Sequence, residues 1–392
     1  MSRAGSRREV ADALVVGAGI VGAAAALALA KQGRRVQLIE RAVPPAWSAE
    51  QPDLRVLAFA PDNARLLEQH GVWSAVEPYG WPYYAMRVWD AGGGGELHFS
   101  AEQAGLPELG WIAQNALLVD RLWQAVRAES DIRVHCPASV VTLEQDDQEV
   151  RIELDDGLRL RGHLLLAADG AGSPLRAMLG IECDSHDYQQ SGLVAYVESE
   201  RDTEHTCYQR FLPSGPLAFL PVAKTCSSIV WSLPSVEAER LSALEEGAFV
   251  DELERALDGR LGGLRLVSAR RSFPLRRQLA KTYQQGRCLL IGDAAHVVHP
   301  LAGQGVNLGL RDVAELLVRT QGRDDLGDPH RLAAIARHQR SANAVAAYSF
   351  DGLNRLFSND ALLPTLLRGP ALGLVDKIAP LKAMFLRRAV GR

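Results

Sequence analysis

The chain has 392 residues, which exceeds the usual size of a single domain and predicts two closely joined domains. Lys and Arg number 43 and Asp and Glu number 47, for a net charge of −4, so the charge balance gives no sign of nucleic-acid binding. The five cysteines are scattered and lack metal-site spacing. We therefore predict a reduced, cytoplasmic protein without a bound metal.

The N-terminal region imitates a signal peptide or a membrane anchor. Arg3, Arg7 and Arg8 precede an uncharged run over residues 13–30. That run has only 18 residues and contains three glycines at turn spacing. Because the run is short and changes from strand-like to helix-like halfway, we favour a cytoplasmic chain over a secreted or membrane-spanning one.

The same run predicts a strand, a glycine turn and a helix. Residues 13–16 have the uniformly apolar character of a buried parallel strand, and residues 20–31 are typical of a helix. Residues 35–39 predict the next strand, which ends at Glu40. This order of elements is that of a dinucleotide-binding βαβ unit.

Each glycine of the turn has a physical role in such a unit. Gly17 permits the tight turn, Gly19 lets the backbone approach a pyrophosphate, and Gly22 lets the helix pack closely on the strand. The N–H groups at the helix start attract phosphates, and Glu40 accepts hydrogen bonds from ribose hydroxyls while repelling a 2′-phosphate. The alternative is a turn that merely requires small residues.

Two further motifs follow predicted strands, over residues 164–168 and residues 288–291. The first strand is followed directly by Asp169 and Gly170, and the second by Gly292 and Asp293. Ligands of parallel sheets bind beyond the carboxyl ends of the strands, so three motifs can meet at one cleft. Together they predict a site for FAD.

The motifs resemble those of the flavoprotein aromatic hydroxylases, the single-component group typified by para-hydroxybenzoate hydroxylase. The resemblance implies that the Asp169-Gly170 motif serves FAD and NAD(P)H binding and that Asp293 binds flavin ribityl or ribose hydroxyls. It further implies that Arg55 binds the pyrophosphate and that Gln114 contacts the ribityl chain.

Three longer segments are similar to the ubiquinone-biosynthesis hydroxylases of that group: residues 210–221, 299–310 and 351–359. The last segment is the most specific, because it is characteristic of the quinone branch. The resemblance implies hydroxylation of the aromatic ring of a polyprenylated phenol or quinol, with NADH or NADPH as transient reductant and O2 reacting through a flavin hydroperoxide.

A loop before a helix that begins near Val306 is predicted to contact the isoalloxazine ring. Its glycines let the backbone approach a planar ring, and the helix N-terminus stabilises negative charge on reduced flavin. The residues concerned are Pro300, Gly303, Gln304, Gly305, Val306 and Asn307. We favour a bracing role for His296 and His299 over acid–base chemistry, and the pair lacks a third metal ligand.

The predicted fold is α/β: a Rossmann-like FAD-binding domain with an inserted antiparallel-sheet substrate domain, like that of para-hydroxybenzoate hydroxylase, and a helical C-terminus. We assign residues 10–75, 111–183 and 282–320 to the FAD-binding domain, residues 76–110 and 184–281 to the substrate domain, and residues 321–392 to the helical segment. Apolar candidates for the substrate pocket are Phe211, Leu217, Phe219 and Leu220, with ordinary core packing as the alternative.

Two other functions remain open. The first is a hydroxylase of a small soluble aromatic acid, for which Arg210 or Arg270 would bind the carboxylate. The second is a non-catalytic FAD-binding subunit of a quinone-biosynthesis complex. Residues 372–392 combine apolar and basic side chains, which indicates either peripheral contact with anionic lipid or, as we favour, a helix that packs on other quinone-biosynthesis proteins or a second copy.

Overall fold

The computed structural model describes residues 10–92, 95–299 and 304–357. Its strands are β1 (Ala11–Val16), β2 (Val36–Ile39), β3 (Val56–Phe59), β4 (Trp81–Tyr83), β5 (Ala85–Asp90), β6 (Glu96–Ser100), β7 (Gly110–Gln114), β8 (Ile132–His135), β9 (Val140–Gln145), β10 (Val150–Leu154), β11 (Arg159–Ala167), β12 (Cys183–Ser199), β13 (Thr206–Leu212), β14 (Gly215–Pro221), β15 (Cys226–Pro234), β16 (Leu264–Leu266), β17 (Arg271–Ala280), β18 (Gln284–Gln285), β19 (Cys288–Leu290) and β20 (His296–Val297). Its helices are α1 (Ile20–Lys31), α2 (Pro61–Gln69), α3 (Trp73–Val76), α4 (Ala101–Ala104), α5 (Asn115–Ala128), α6 (Pro174–Met178), α7 (Ser235–Ala243), α8 (Glu246–Leu257), α9 (Gln304–Thr320) and α10 (Pro329–Phe357), with short 3-10 turns at Glu77–Tyr79 and Gly292–Ala294.

The first sheet has a parallel centre in the order β19-β11-β1-β2-β8. Strands β18, β10 and β9 extend it by antiparallel pairing. Helix α1 packs between this sheet and the helices α5 and α9, and ten of its twelve residues are buried. The uncharged run at residues 13–30 is therefore a buried strand followed by a buried helix, which explains why it lacks a polar face.

The second sheet follows the order β20-β17-β12-β15-β14-β13-β5-β6. All its neighbouring strands are antiparallel except β13 and β5, which run parallel. Helices α7 and α8 cover one face and form a hydrophobic core with it. The opposite face packs against the three-stranded sheet β3-β7-β4. This arrangement confirms the predicted α/β architecture with an inserted, largely antiparallel sheet.

The division of the chain into domains stays a prediction. Strands β5 and β6 and the strands from β12 to β17 all belong to the second sheet, whereas β4 pairs with β7. Residues 81–83, which we assigned to the substrate domain, thus pair with a strand that we assigned to the FAD-binding domain. Residues 358–392, including the basic stretch at 372–392, lie outside the described residues. Among the described residues, no helix is both long and apolar enough to cross a membrane.

Candidate active site

The three glycine-containing motifs lie side by side at one edge of the first sheet. Strands β1, β11 and β19 are neighbours and parallel, so their carboxyl ends point the same way. The backbone N–H of Ala168 donates to the carbonyl oxygen of Val16 over 2.8 Å, and that of Ile291 donates to Ala167 over 3.0 Å. Sheet topology therefore brings together motifs that are more than a hundred residues apart in sequence.

The first turn requires its glycines for two different reasons. A Cβ atom at Gly22 would lie 1.9 Å from the carbonyl oxygen of Gly17, and one at Gly17 would lie 2.3 Å from that of Ala168. Gly17 also has a φ of +100°, which favours glycine. Gly19, in contrast, is exposed and faces open space, with no side-chain cap on the α1 N-terminus. The helix start is thus accessible to an anion such as pyrophosphate.

Glu40 completes this turn. Its Oε2 accepts a hydrogen bond from the backbone N–H of Ala18 over 2.6 Å, and its Oε1 accepts one from Ala42 over 3.2 Å. The carboxylate at the end of β2 therefore sits beside the phosphate-binding turn, in the position expected for an acceptor of ribose hydroxyls.

Arg55 and Gln114 lie together beyond the end of β7. The Asp53 carboxylate accepts hydrogen bonds from the backbone N–H groups of Arg55 and Ala116, over 2.9 and 3.0 Å. Gln114 Oε1 accepts from the Asp53 N–H over 3.0 Å and from the Trp47 indole over 2.9 Å. The exposed guanidinium of Arg55 has no ion-pair partner among the described residues, so it is available to a phosphate.

The second motif places a carboxylate in a largely buried position. Burial raises the pKa of Asp169, and hydrogen bonds from the Ser173 hydroxyl and the Leu175 backbone N–H oppose that rise. Gly170 has a φ of +85° and open space above its Cα. The turn can therefore approach a ligand closely.

Arg176 joins the second motif to the third. Its guanidinium donates to the carbonyl oxygen of Ala294 over 2.8 Å and to that of Ala171 over 2.9 Å, and the residue is buried. Sequence reasoning assigned no role to Arg176. Its position directly after the Asp-Gly motif was the available signal, but the partner lies 118 residues further along the chain.

Hydrogen bonds to Asp312 of α9 hold the third motif in place. The N–H of Gly292 and the imidazole of His296 both donate to Oδ2 of the buried Asp312, over 3.1 and 2.7 Å. Burial alone would lower the pKa of His296, but the adjacent Asp312 carboxylate raises it above its ordinary value. The side chain of Asp293 stays exposed, as a ligand of flavin hydroxyls must be.

Helix α10 supports Asp312 in turn. Asn343 donates to Asp312 Oδ1 over 3.1 Å, and Gln339 donates to the Asp312 carbonyl oxygen over 2.8 Å. All three residues are buried. Sequence reasoning missed the role of Asp312. The pattern of an amphipathic helix does not distinguish a buried aspartate with distant hydrogen-bond partners from an ordinary polar position.

The predicted isoalloxazine loop is only partly described. Pro300 and Gly303 and the side chain of Gln304 lie outside the described structure. Gly305 faces open space and Val306 is half-buried. The Asn307 side chain accepts from the Ala60 N–H over 2.9 Å and donates to the Ala58 carbonyl over 2.7 Å, so it braces α9 against β3. Its contact with the cofactor stays a prediction.

The four candidates for the substrate pocket divide between the two faces of the second sheet. Leu217 and Phe219 are fully buried on the face that α7 and α8 cover, opposite the three-stranded sheet. Their burial favours ordinary core packing, the alternative that the sequence left open, over a place in the pocket wall. Leu220 packs on the opposite face, beside β3 and β7. Phe211 lies on that face as well. It pairs with Pro216, and Pro216, Ala218 and Leu220 are alternate residues of β14 that point to the same face.

The residues at the strand ends fit FAD. Open space at Gly19, the uncapped start of α1 and the exposed Arg55, which has no ion-pair partner in the described part of the chain, suit a pyrophosphate. Glu40 and the exposed Asp293 supply acceptors for hydroxyl groups on either side of it. Among the described residues no group of three or more His, Cys, Asp and Glu side chains is arranged to hold a metal ion.

Comparisons with known proteins agree with this geometry. The family described as "FAD binding domain" matches residues 10–319. The chain is 38% identical to ubiquinone hydroxylase UbiL of Rhodospirillum rubrum, over 99% of this chain and 91% of that protein. It is 34% identical to 3-demethoxyubiquinol 3-hydroxylase of Escherichia coli, over 96% of this chain and 97% of that protein.

Solved structures agree in fold. The p-nitrophenol 4-monooxygenase PnpA of Pseudomonas putida DLL-E4 superposes with a TM-score of 0.77 at 18% identity, covering 98% of this chain and 99% of PnpA. With a family match over most of its length and full-length relatives above 30% identity, the chain belongs to the FAD-dependent hydroxylases of ubiquinone biosynthesis.

Proposed function

We propose that the protein hydroxylates the aromatic ring of a polyprenylated phenol or quinol intermediate of ubiquinone, with NADH or NADPH and O2 as co-substrates. The observation that supports this most is full-length similarity to relatives named for hydroxylating ubiquinone or its precursor. Bound FAD supplies the redox chemistry: it accepts electrons from NAD(P)H and activates O2. The protein must bind, orient and enclose the reactants.

The described residues assign binding tasks to the two ends of the cofactor. We infer that Glu40 binds the ribose of the adenosine half and that Arg55 and the α1 N-terminus bind the pyrophosphate. Asp293 binds hydroxyls of the flavin half, and Gln114 contributes its amide nitrogen, which has no partner in the described structure, to the ribityl chain. The Asp169-Gly170 turn lies between these groups, at the end of the middle strand.

The second sheet provides the surface for the aromatic ring. The Tyr196 hydroxyl of β12 donates to the carbonyl oxygen of Asp53 over 2.6 Å, which ties this sheet to the segment that contains Arg55. On the same face Ala218 pairs with Val230, and both are half-buried. We propose that this apolar surface, continued by Phe211 and Leu220, contacts the ring and excludes water from it.

The side-chain contacts of two arginines support a prenylated substrate over a small aromatic acid. Arg210 donates to the carbonyl oxygens of Arg255 and Ala256 at the end of α8, over 3.1 and 3.0 Å. Arg270 donates to the carbonyl oxygens of Leu241 and Leu244, over 2.8 and 2.6 Å. Both guanidinium groups thus cap helix ends on the face that α7 and α8 cover, and these hydrogen bonds compete with binding of a substrate carboxylate.

The choice between an enzyme and a non-catalytic subunit depends on turnover. The purified, FAD-loaded protein is to be mixed with NADH or NADPH and either a prenylated phenol or para-hydroxybenzoate. We expect the prenylated phenol to stimulate NAD(P)H oxidation and to gain one oxygen atom from isotope-labelled O2. Stimulation by the carboxylated phenol alone supports the small-acid alternative, and oxidation that responds to neither supports the scaffold alternative.

The place of the reaction in the pathway requires a cellular test. Quinone profiling of a deletion strain identifies the missing hydroxylation from the intermediate that accumulates. We further propose peripheral contact with the membrane or with other quinone-biosynthesis proteins, because a polyprenylated substrate partitions into lipid. Co-sedimentation with anionic vesicles, and size-exclusion chromatography for a homo-oligomer, are the corresponding measurements.

A further inference from the structure

A buried ion pair joins the second sheet to the C-terminal helix. The guanidinium of Arg277 on β17 donates to the carboxylate of Asp351 on α10. Arg277 is 8% exposed and Asp351 is 5% exposed. Asp184 accepts from the other guanidinium nitrogen over 2.9 Å, but its side chain is half-exposed. Arg277 thus has one buried and one superficial partner.

Tyr188 adds a second contact to the buried partner. The register between β12 and β17 shifts between Asp187 and Gln190, and Gln189 has a φ of +54°. Such a bulge takes the intervening side chains out of the ladder and re-aims them. The Tyr188 hydroxyl donates to the other oxygen of the Asp351 carboxylate. Asp351 is therefore held at both oxygens by residues of the second sheet.

The same tyrosine contacts His299. The two rings meet edge to face with centroids 5.1 Å apart. His299 is 1% exposed, and neither of its nitrogens has a hydrogen-bond partner in the described structure. Burial lowers the pKa of His299 to about 4, so the imidazole is neutral at physiological pH. Within the described residues, packing against Tyr188 orients His299, and no hydrogen bond does.

This cluster connects two segments that the sequence singled out separately. His299 is the residue before the loop predicted to contact the isoalloxazine ring, and Asp351 begins the segment 351–359 that resembles the quinone branch. A buried ion pair gives little net stability over apolar packing, so a role in fixing one arrangement is the better account of it.

We propose that Asp351 is a positioning residue: through Tyr188, it fixes His299, the last described residue before the loop predicted to contact the isoalloxazine ring. The inference rests on the proposed function, because it assumes that the flavin ring binds there. It gives Asp351, the first residue of the segment 351–359, a task in the reaction. A misplaced His299 would let water reach the flavin site, where O2 would take the electrons of reduced flavin and leave as hydrogen peroxide.

Two variants and one control test the proposal. Tyr188→Phe keeps the ring against His299 but removes its anchor on Asp351, and Asp351→Asn removes the charge. Asp184→Asn is the matched control, because it removes a carboxylate from the same guanidinium without touching Tyr188. Backbone hydrogen exchange over residues 296–309 is measured in FAD-saturated protein, together with the hydrogen peroxide formed per NAD(P)H oxidised.

We expect Tyr188→Phe and Asp351→Asn to accelerate exchange in this segment by about tenfold and to raise the peroxide share, with Asp184→Asn close to wild type. Wild-type exchange in Tyr188→Phe, or an equal effect of Asp184→Asn, overturns the proposal. If Asp351→Asn fails to fold, Tyr188→Phe decides. If the wild type hydroxylates no prenylated phenol, the proposed function fails, but the exchange comparison still tests the positioning role.

Discussion

The Glu40 carboxylate accepts a 2.6 Å hydrogen bond from the backbone N–H of Ala18, so the acid at the end of β2 is part of the glycine turn after β1. One side chain therefore holds the glycine turn and, in the proposed function, also binds the ribose. This double role separates Glu40 from other acidic residues on the surface and makes it a sharp test of the cofactor assignment.

Replacing Glu40 with alanine is expected to weaken FAD binding. Hydrogen bonds to charged groups contribute about 1.5–3 kcal/mol, so the Kd should rise by roughly ten- to a hundredfold. Quenching of flavin fluorescence during titration of the apoprotein measures it. Glu50→Ala, at an exposed acid whose carboxylate accepts a hydrogen bond from the nearby Ser48 hydroxyl, is the control. Equal affinity of Glu40→Ala and wild type would contradict the assignment.

Alanine substitutions at two glycines of the turn are expected to have different effects, one on stability and the other on FAD binding. A Cβ at Gly22 would lie 1.9 Å from a backbone oxygen, so Gly22→Ala must separate α1 from β1 and should cost about 3 kcal/mol or more of stability. A Cβ at Gly19 meets nothing within 4 Å, so Gly19→Ala should keep the melting temperature of the wild type yet bind FAD weakly. Thermal unfolding without added FAD and a flavin titration separate the two effects. Tight FAD binding by Gly19→Ala would mean that the pyrophosphate does not approach this turn.

Asp293→Ala tests the flavin end of the site. Asp293 is exposed while the rest of its motif is buried and braced by Asp312, so removing its carboxylate should leave the fold intact. We expect the purified variant to lose FAD on gel filtration at concentrations where the wild type stays yellow. Retention of FAD with wild-type affinity would show that this aspartate does not hold the cofactor.

The sequence predicted the elements that local patterns determine. The bounds of α1 follow from an apolar run between two glycines, and β1, β11 and β19 follow from short apolar runs before Asp or Gly. It did not predict which face of the second sheet α7 and α8 cover. The alternation of side chains along a strand predicts that Leu217 and Leu220 lie on opposite faces of the sheet. It does not predict which of the two faces α8 covers.

Contacts between distant residues were beyond the same reasoning. The hydrogen bonds of Arg176 to Ala294 and of Asp312 to Gly292 depend on how strands and helices are stacked, and no local pattern encodes them. Arg210 and Arg270 illustrate the converse. Their charge suggested a substrate carboxylate, whereas the fold uses them as helix caps.

His296 and His299 are expected to affect stability with opposite dependence on pH. Asp312 raises the pKa of His296 above its ordinary 6.5, so the stabilising charge is fully present below that pH and is lost as the pH rises through the folded value. His296→Gln should therefore be most destabilising in mild acid, and its deficit should shrink toward alkaline pH. Urea titrations of variant and wild type across the pH range measure the difference. A deficit that does not change with pH would mean that folding leaves the pKa of His296 at its ordinary value.

His299 gives the opposite sign. Burial lowers the pKa of His299 from 6.5 to about 4. Between pH 6.5 and about pH 4 the imidazole is therefore protonated in the unfolded chain but neutral in the folded protein, so stability falls as the pH falls. At about pH 5 this costs the wild type about 2 kcal/mol relative to neutral pH.

His299→Leu leaves no hydrogen bond of the described structure broken, so it should match the wild type near neutral pH and become the more stable protein in acid. The difference in the free energy of unfolding between the two proteins isolates this residue from the many carboxylates that titrate in the same range. If it stays constant from neutral pH to about pH 4, the imidazole is hydrated or paired in solution, and the packing of His299 against Tyr188 is not as the structure has it.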